Sequence, residues 1–497
     1  MVVLVKNQDT TLMTNIVGFT LTGGTGYYGA YGGGIHCNMA IPVIEYNHIE
    51  NCSVTGTQPH GAGIRVGQGD TSQVCIIRYN VIRNCTINAV SNTIAADGAG
   101  ISLEKINAVV EGNTISYNVI SGTATSYAYG GGIIYYMSSN YYHSALILIK
   151  NNVISNNGIE SFGAYGGGIF FQDDFGYTRI SVEGNSITGN ELISIGTGGE
   201  INGGGIFMRN PGAGSNISDN AINNNHSDEV PQVEGLGGGI FITHELNPGN
   251  DNILLIEKNR ITQNTAAVQG GGMSCSYIGL KMVNNFIAGN QSGIRAGGIY
   301  LAGQSDSPVL SFINNTFTGN SVTSQDGRGG SIYISTYPEL FLINNIFFGN
   351  QAPEGNELYN NNLSTFVDGT WYYAPVNDIE ETPRPWHMGI DVGADECDII
   401  IKLPEQRTND NLSSVRCYPN PFSTFTTLVY ELEHSVNVNL SIYNHLGQQV
   451  ALLLDGEQSA GRQKVRWEAE GMPAGVYYFR LSILNGRLWE CGKIVKY

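Results

Sequence analysis

Charge is scarce in this 497-residue chain, where Asp, Glu, Lys and Arg together make up only 13% of the residues. An average soluble domain carries about 25%, so helices with solvated charged faces are disfavoured and long paired strands are favoured. No apolar run approaches the roughly 20 residues of a membrane-spanning helix, and stretches such as Ala145–Ile149 stop far short. The eight cysteines form no CxxC pair and no metal-ligand spacing. His244-Glu245 lacks the second histidine of a zinc HExxH motif, and no phosphate loop, nucleophile elbow or Gly-Gly-x-Gly-x-Asp repeat occurs. Nor does any ten-residue stretch carry a helical stripe. At the start, Met1–Val5 runs straight into Lys6 and polar residues, so no signal peptide is expected there. Asn15–Gly24 already reads as repeat sequence, and the chain is expected to begin inside the repeat array.

Glycine is what the chain has in quantity, 66 residues, and it recurs in clusters. Each cluster is followed by an apolar residue and later by Asn-x-Ile or Asn-x-Phe closed by another Asn. Clean copies lead into Ile35, Ile133, Ile169, Ile206 and Ile240, and degenerate ones into Ile64, Ile101, Met273, Ile299 and Ile332. Successive copies lie 26 to 37 residues apart. A period in that range indicates a solenoid, whose repeats bury their apolar faces only by stacking.

Within one repeat the period is 2. Ile169 and Phe171 share a parity, and the positions three and five before each Asn are apolar, as in Ile149 and Ile147 or Val182 and Ile180. About three short strands per repeat follow, pairing in parallel with the next coil at about 4.8 Å. Between repeats the loops vary from Thr265–Gln269 to the longer Cys85–Asp97, while the core pattern is constant. The fold class is therefore all-β, a parallel β-helix solenoid over residues 1–350. The glycines suit sharp turns and close backbone approach. Asn113, Asn152, Asn185, Asn220, Asn259, Asn285, Asn315 and Asn345 suit left-handed corners and a stacked amide ladder, a structural role.

The formal charge of −18 lies wholly in residues 1–396, with 14 Lys and Arg against 32 Asp and Glu, while 397–497 balance at 10 against 10. Such an acidic helix repels nucleic acid and anionic lipid. It also disfavours a polyuronate substrate unless a bound cation intervenes. Cys37, Cys75 and Cys275 have inward parity. Cys52 and Cys85 recur at one place in successive repeats, about 5 Å apart if stacked, as a disulfide or as two buried thiols.

Near the C-terminus stand Tyr418-Pro-Asn-Pro-Phe422, then Val438–Val450, Ala474–Leu481 and Lys493–Tyr497. In that order they resemble the type A sorting domain of the type IX secretion system over residues 416–497. The resemblance implies export across an outer membrane by the type IX secretion machinery, and secreted or cell-surface localisation. Read from its own alternation, the stretch is a small C-terminal β-sandwich. Thr382-Pro-Arg-Pro385 and Ile390–Glu396 resemble the closing segment of bacterial surface β-helix proteins, so 351–396 is read as a cap and 397–415 as a linker. The glycine and asparagine phrases resemble the right-handed (pectin-lyase-like) β-helix superfamily, as scaffold motifs that carry no chemistry.

The position after each leading apolar residue should point outward: His36, Arg65, Ser102, Ile134, Phe170, Phe207, Phe241, Ser274, Tyr300, Tyr333. Phe170, Phe207 and Phe241 would then floor a shallow groove on which sugar rings stack, unless Tyr-rich loops cover them. Asp173, Asp174, Arg209, His244 and Glu245 would edge it. Asp173 and Asp174 are the candidate Ca²⁺ ligands, and the set as a whole the candidate acid–base machinery of a polysaccharide lyase or glycoside hydrolase. Three functions stay open at this point: a surface module engaging extracellular polysaccharide, an enzyme acting on one, or a structural stalk.

Overall fold

The computed structural model describes residues 3–361 and 415–497 except 7–12, 27–30, 68–72, 91–94, 138–144, 228–233, 246–252, 304–309, 337–339, 445–448, 484–486 and single positions 197, 344, 433 and 474. Between 362 and 414 it describes 364–367, 370–373 and 390–391. The linker expected over 397–415 lies, but for Val415, outside the described residues, as does most of the cap expected over 351–396. By internal contacts the chain divides into compact units 1–400 and 401–497.

The first unit is a parallel β-solenoid, and no helix occurs among its described residues. One coil shows the plan. Ile169–Asp173 belongs to the front sheet, Arg179–Glu183 to a second, Ser186–Thr188 to a third, Glu191–Ser194 to a fourth and Glu200–Asn202 to a short rim sheet. The second and third sheets are 11 strands deep, and the front sheet reaches 13 with the antiparallel Ile390–Asp391. Sequence periodicity anticipated three strands per coil. The extra ones arise because two asparagine corners, five residues apart, cut a single extended run into pieces.

Inward-facing residues form one continuous column. Ile35, Ile133, Ile169, Ile206 and Ile240 superpose on the front sheet, as expected, and all are fully buried. Neighbouring coils approach so closely that glycine is obligatory beside them. A Cβ on Gly168 would lie 2.6 Å from the Gly205 carbonyl oxygen.

The asparagine ladder exists, running from Asn47 to Asn345. Asn152 Nδ2 donates to Asn185 Oδ1 at 3.0 Å and to the Val110 carbonyl at 2.9 Å, and its backbone N–H donates to the same Oδ1. The left-handed residue is not the ladder Asn, however, but the one before it: Asn151, Gly184, Asp219 and Lys258 have φ between 55 and 64°. That turn swings the following side chain inward, where its amide must be satisfied by the coils above and below. A second ladder, five residues on, runs through Asn118, Asn157, Asn190, Asn225, Asn264, Asn290, Asn320 and Asn350. Its two first places are held by Cys52 and Cys85, both free buried thiols. A hydrogen bond from Cys85 brings the Cys52 thiol down to about 7, while that contact and burial push Cys85 up.

The second unit, described by itself, has two antiparallel sheets. Arg416–Tyr418, Phe425–Leu432 and Gly461–Glu468 form one; Gln449–Gln458, Val436–Asn444, Gly475–Ile483 and Arg487–Lys496 form the other. Phe422, Tyr430, Trp467, Leu440 and Phe479 share the core between them, the arrangement of a small sandwich.

Candidate functional site

The outward column of the front sheet is where sequence reasoning placed the site, and it is buried from His36 to Tyr359. Phe170, Phe207 and Phe241 stack at 4.9 and 5.2 Å between ring centroids, yet are only 2, 5 and 8% exposed. The cause is the rim. The residue just before each glycine cluster pairs with its equivalents along the axis, from Tyr31 and His60 through Tyr129, Tyr165 and Leu236 to Arg295, Arg328 and Glu354. The first glycine of the cluster is left-handed, Gly166 at φ 68° for example, and turns the rim side chain back over the front sheet. Tyr129 meets Phe170 edge-on at 5.0 Å, and Tyr165 meets Phe207 at 5.4 Å. Burial pushes the Tyr129 phenol up to about 12, and that of Tyr165 higher still, helped by Glu200, to which it donates at 3.0 Å. The expected open groove is thus corrected to a second, external core of Ile134 and the three phenylalanines.

The ionisable residues beyond it do not converge on a ligand. Asp173 shares the inward parity of Ile169 and Phe171 and is fully buried. Its carboxylate accepts the backbone N–H groups of Phe175, Tyr177 and Thr178 at 2.8, 3.0 and 2.6 Å, fixing the turn out of the strand. Asp174 accepts from Gln172 at 2.7 Å and Tyr136 at 3.3 Å. With its lone pairs so occupied by donors, this pair does not fit a Ca²⁺ site. Among the described residues no group of three or more His, Cys, Asp or Glu is placed to hold a metal ion. Arg209 and Glu245 form a surface ion pair with each other. His244 is buried, its backbone N–H donating to the Ser276 carbonyl at 3.1 Å. Of the five, the fold brings together Arg209 with Glu245, and Asp173 beside Asp174.

Two clusters at the ends of the column were missed. On the early coils His60 Nδ1 lies 2.7 Å from Asp97 Oδ2, and its ring stacks on Tyr31 at 5.4 Å. Next to them Arg65 pairs with Glu104 and donates to Ser102 Oγ at 3.1 Å; Lys105 lies 3.5 Å from Glu104. Burial raises the Glu104 carboxyl, but Arg65, Lys105 and His60 outweigh it and hold it below the ordinary value. On the late coils Tyr300, Tyr333 and Tyr359 stack at 5.4 and 5.0 Å under Arg295 and Arg328. The usable signal was the residue before each glycine cluster: His60 with Asp97, and Arg295 with Arg328, are periodic partners in the sequence itself.

Residues 416–495 match the family described as the secretion system C-terminal sorting domain. The chain is therefore a secreted or cell-surface-attached protein that uses the type IX secretion machinery, and its exported part is a parallel β-solenoid. No curated protein and no solved structure matches the chain. Among the described residues no helix is long and apolar enough to cross a membrane.

Proposed function

We propose that this chain is a surface-displayed β-solenoid that engages extracellular polysaccharide along its length without transforming it. The observation that carries the non-catalytic part is Asp173, whose carboxylate is consumed by three backbone N–H groups. The aromatic seam above it is equally closed. Contact with sugar is supported by the third sheet, where Thr114, Ser155, Ser186, Thr188, Asn223 and Thr262 sit partly exposed on successive rungs. Hydroxyls and amides repeated at about 4.8 Å offer donors and acceptors to a hydroxylated polymer rather than to a lipid. In this reading residues 351–396 close the last coil and 397–415 link it to the sorting domain.

A second reading, a polysaccharide lyase or glycoside hydrolase, is favoured by the His60–Asp97 pair. A carboxylate on Nδ1 orients the imidazole and leaves Nε2 as a base, and Arg65 or Lys105 beside it would meet a substrate carboxylate. Incubating the exported protein with neutral and acidic polysaccharides separates the two. Retention without new reducing or unsaturated ends is the expected result. Product formation that His60→Ala abolishes would establish the enzyme instead, and absence of retention on every polymer would leave a bare stalk.

A further inference from the structure

From the late coils we infer an oxyanion-binding site, built by Arg295, Arg328 and Tyr359, that takes the carboxylate or sulfate groups of an acidic extracellular glycan. The inference rests on the polysaccharide reading above and names its chemistry at one place on the rod. Arg295 and Arg328 are directly paired rim residues on adjacent coils, so their chains are about 4.8 Å apart. Two guanidinium groups carried on neighbouring strands repel unless anions lie between or beside them. Arg328 has Glu354, at 2.8 Å from Nε. No carboxylate pairs with Arg295 among the described residues, in a chain whose acids outnumber its bases 42 to 24. With no carboxylate of its own, Arg295 is open to an anion from outside.

The site is also held in place before any ligand arrives. The Arg295 guanidinium lies 5.6 Å from the Tyr333 ring centroid and that of Arg328 5.3 Å from Tyr359. Stacking on a ring face fixes the plane of each fork, and the N–H edges of Arg295 can donate bidentately to a carboxylate or sulfate. The tyrosines cannot shift, since Tyr300, Tyr333 and Tyr359 form one stacked, buried ladder.

A second, independent observation points the same way. The Tyr359 hydroxyl is buried and makes no hydrogen bond, although the side chain is 1% exposed. A buried donor left unpaired is a feature that a ligand oxygen entering beneath Arg328 would satisfy. The net charge of −18 opposes a polyanion at long range, so recognition here has to be local, and screening by salt should weaken the contact and the opposing field together.

The test measures binding of the full chain at low salt to polygalacturonate, dextran sulfate and neutral dextran. Preference for either acidic polymer over dextran is expected, and the arm that is retained identifies carboxylate or sulfate as the group. Arg295→Gln should weaken that binding about tenfold, the scale of one charge-assisted contact. Lys150→Gln, an equal charge change on the second sheet, should not. Tyr359→Phe keeps the ring and should weaken binding severalfold. If Arg295→Gln disturbs folding, Arg295→Lys keeps the charge, loses the fork and should still lose binding. Equal retention on dextran and the acidic polymers would overturn this site while leaving the broader polysaccharide reading standing. Arg295→Gln behaving like Lys150→Gln would overturn it as well, and retention on no polymer would overturn both.

Discussion

Inner and outer columns of the front sheet alternate along the same strands, yet they obey different rules. Inward, Ile35 to Ile332 are almost all isoleucine and wholly buried. Outward, the column changes from His36, Arg65 and Ser102 through Ile134 and the three phenylalanines to the tyrosines, and it too is buried. The inner column is enclosed by the coil itself, so every coil meets one demand. The outer column is enclosed only by the rim residue that the next glycine turn folds over it. Its chemistry is free to vary so long as the rim varies in step: tyrosine over phenylalanine, arginine over tyrosine, histidine beside arginine. Burial and uniformity are therefore separable in this fold.

The comparison breaks most decisively at Phe207. If the outer column is a core, Phe207→Ala should destabilise the middle coils by about 3–5 kcal/mol, as much as Ile206→Ala at about 2–5 kcal/mol. Native-state hydrogen exchange of the strands Ile169–Asp173 and Ile240–Thr243 reads both, because solenoids open locally. A Phe207→Ala protein with unchanged protection would return the column to the surface. Next in size is Asn185→Ala, which strands carbonyl and N–H partners of the ladder and should cost about 1–3 kcal/mol. Loss confined to the neighbouring corners is the expected pattern.

Acid should separate the two ends of the outer column. Glu104 has a depressed folded pKa, so its contribution is present above the unfolded carboxyl value of about 4.3. It is lost as pH falls below that value and through the folded one. Proteolysis of the early coils should rise over that range before that of the aromatic middle, and Glu104→Gln should remove the difference. The smallest effect is expected at Cys85→Asn. Extending the second ladder to meet Asn118 should add about 0.5–1.5 kcal/mol, and a destabilised variant would show that the thiol pair is itself preferred at that corner.

Much of this was legible before any coordinates. The glycine clusters, the parity of Ile169 and Phe171, and the spacing of Asn113 to Asn345 specify a parallel solenoid, because each constraint acts within one coil or between equivalent positions of adjacent ones. The order of motifs after Tyr418 identifies the sorting domain in the same way. Even Asp173 was readable: it continues the inward parity of Ile169 and Phe171, and a carboxylate facing the core there has to be satisfied by backbone. The second ladder stood five residues beyond the first, in plain view but unrecognised.

What periodicity could not decide was whether an outward residue meets water. Parity states which side of a strand a side chain leaves from, and burial on that side depends on a different segment, reached through a loop of variable length and a left-handed glycine. Phe207 lies under Tyr165, 42 residues earlier, and Tyr359 under Arg328, 31 residues earlier. The coil and its repeating core follow from the sequence because their contacts repeat with its period. The identity of the site followed only from the tertiary structure, because one left-handed residue per turn decides which side chains cover which.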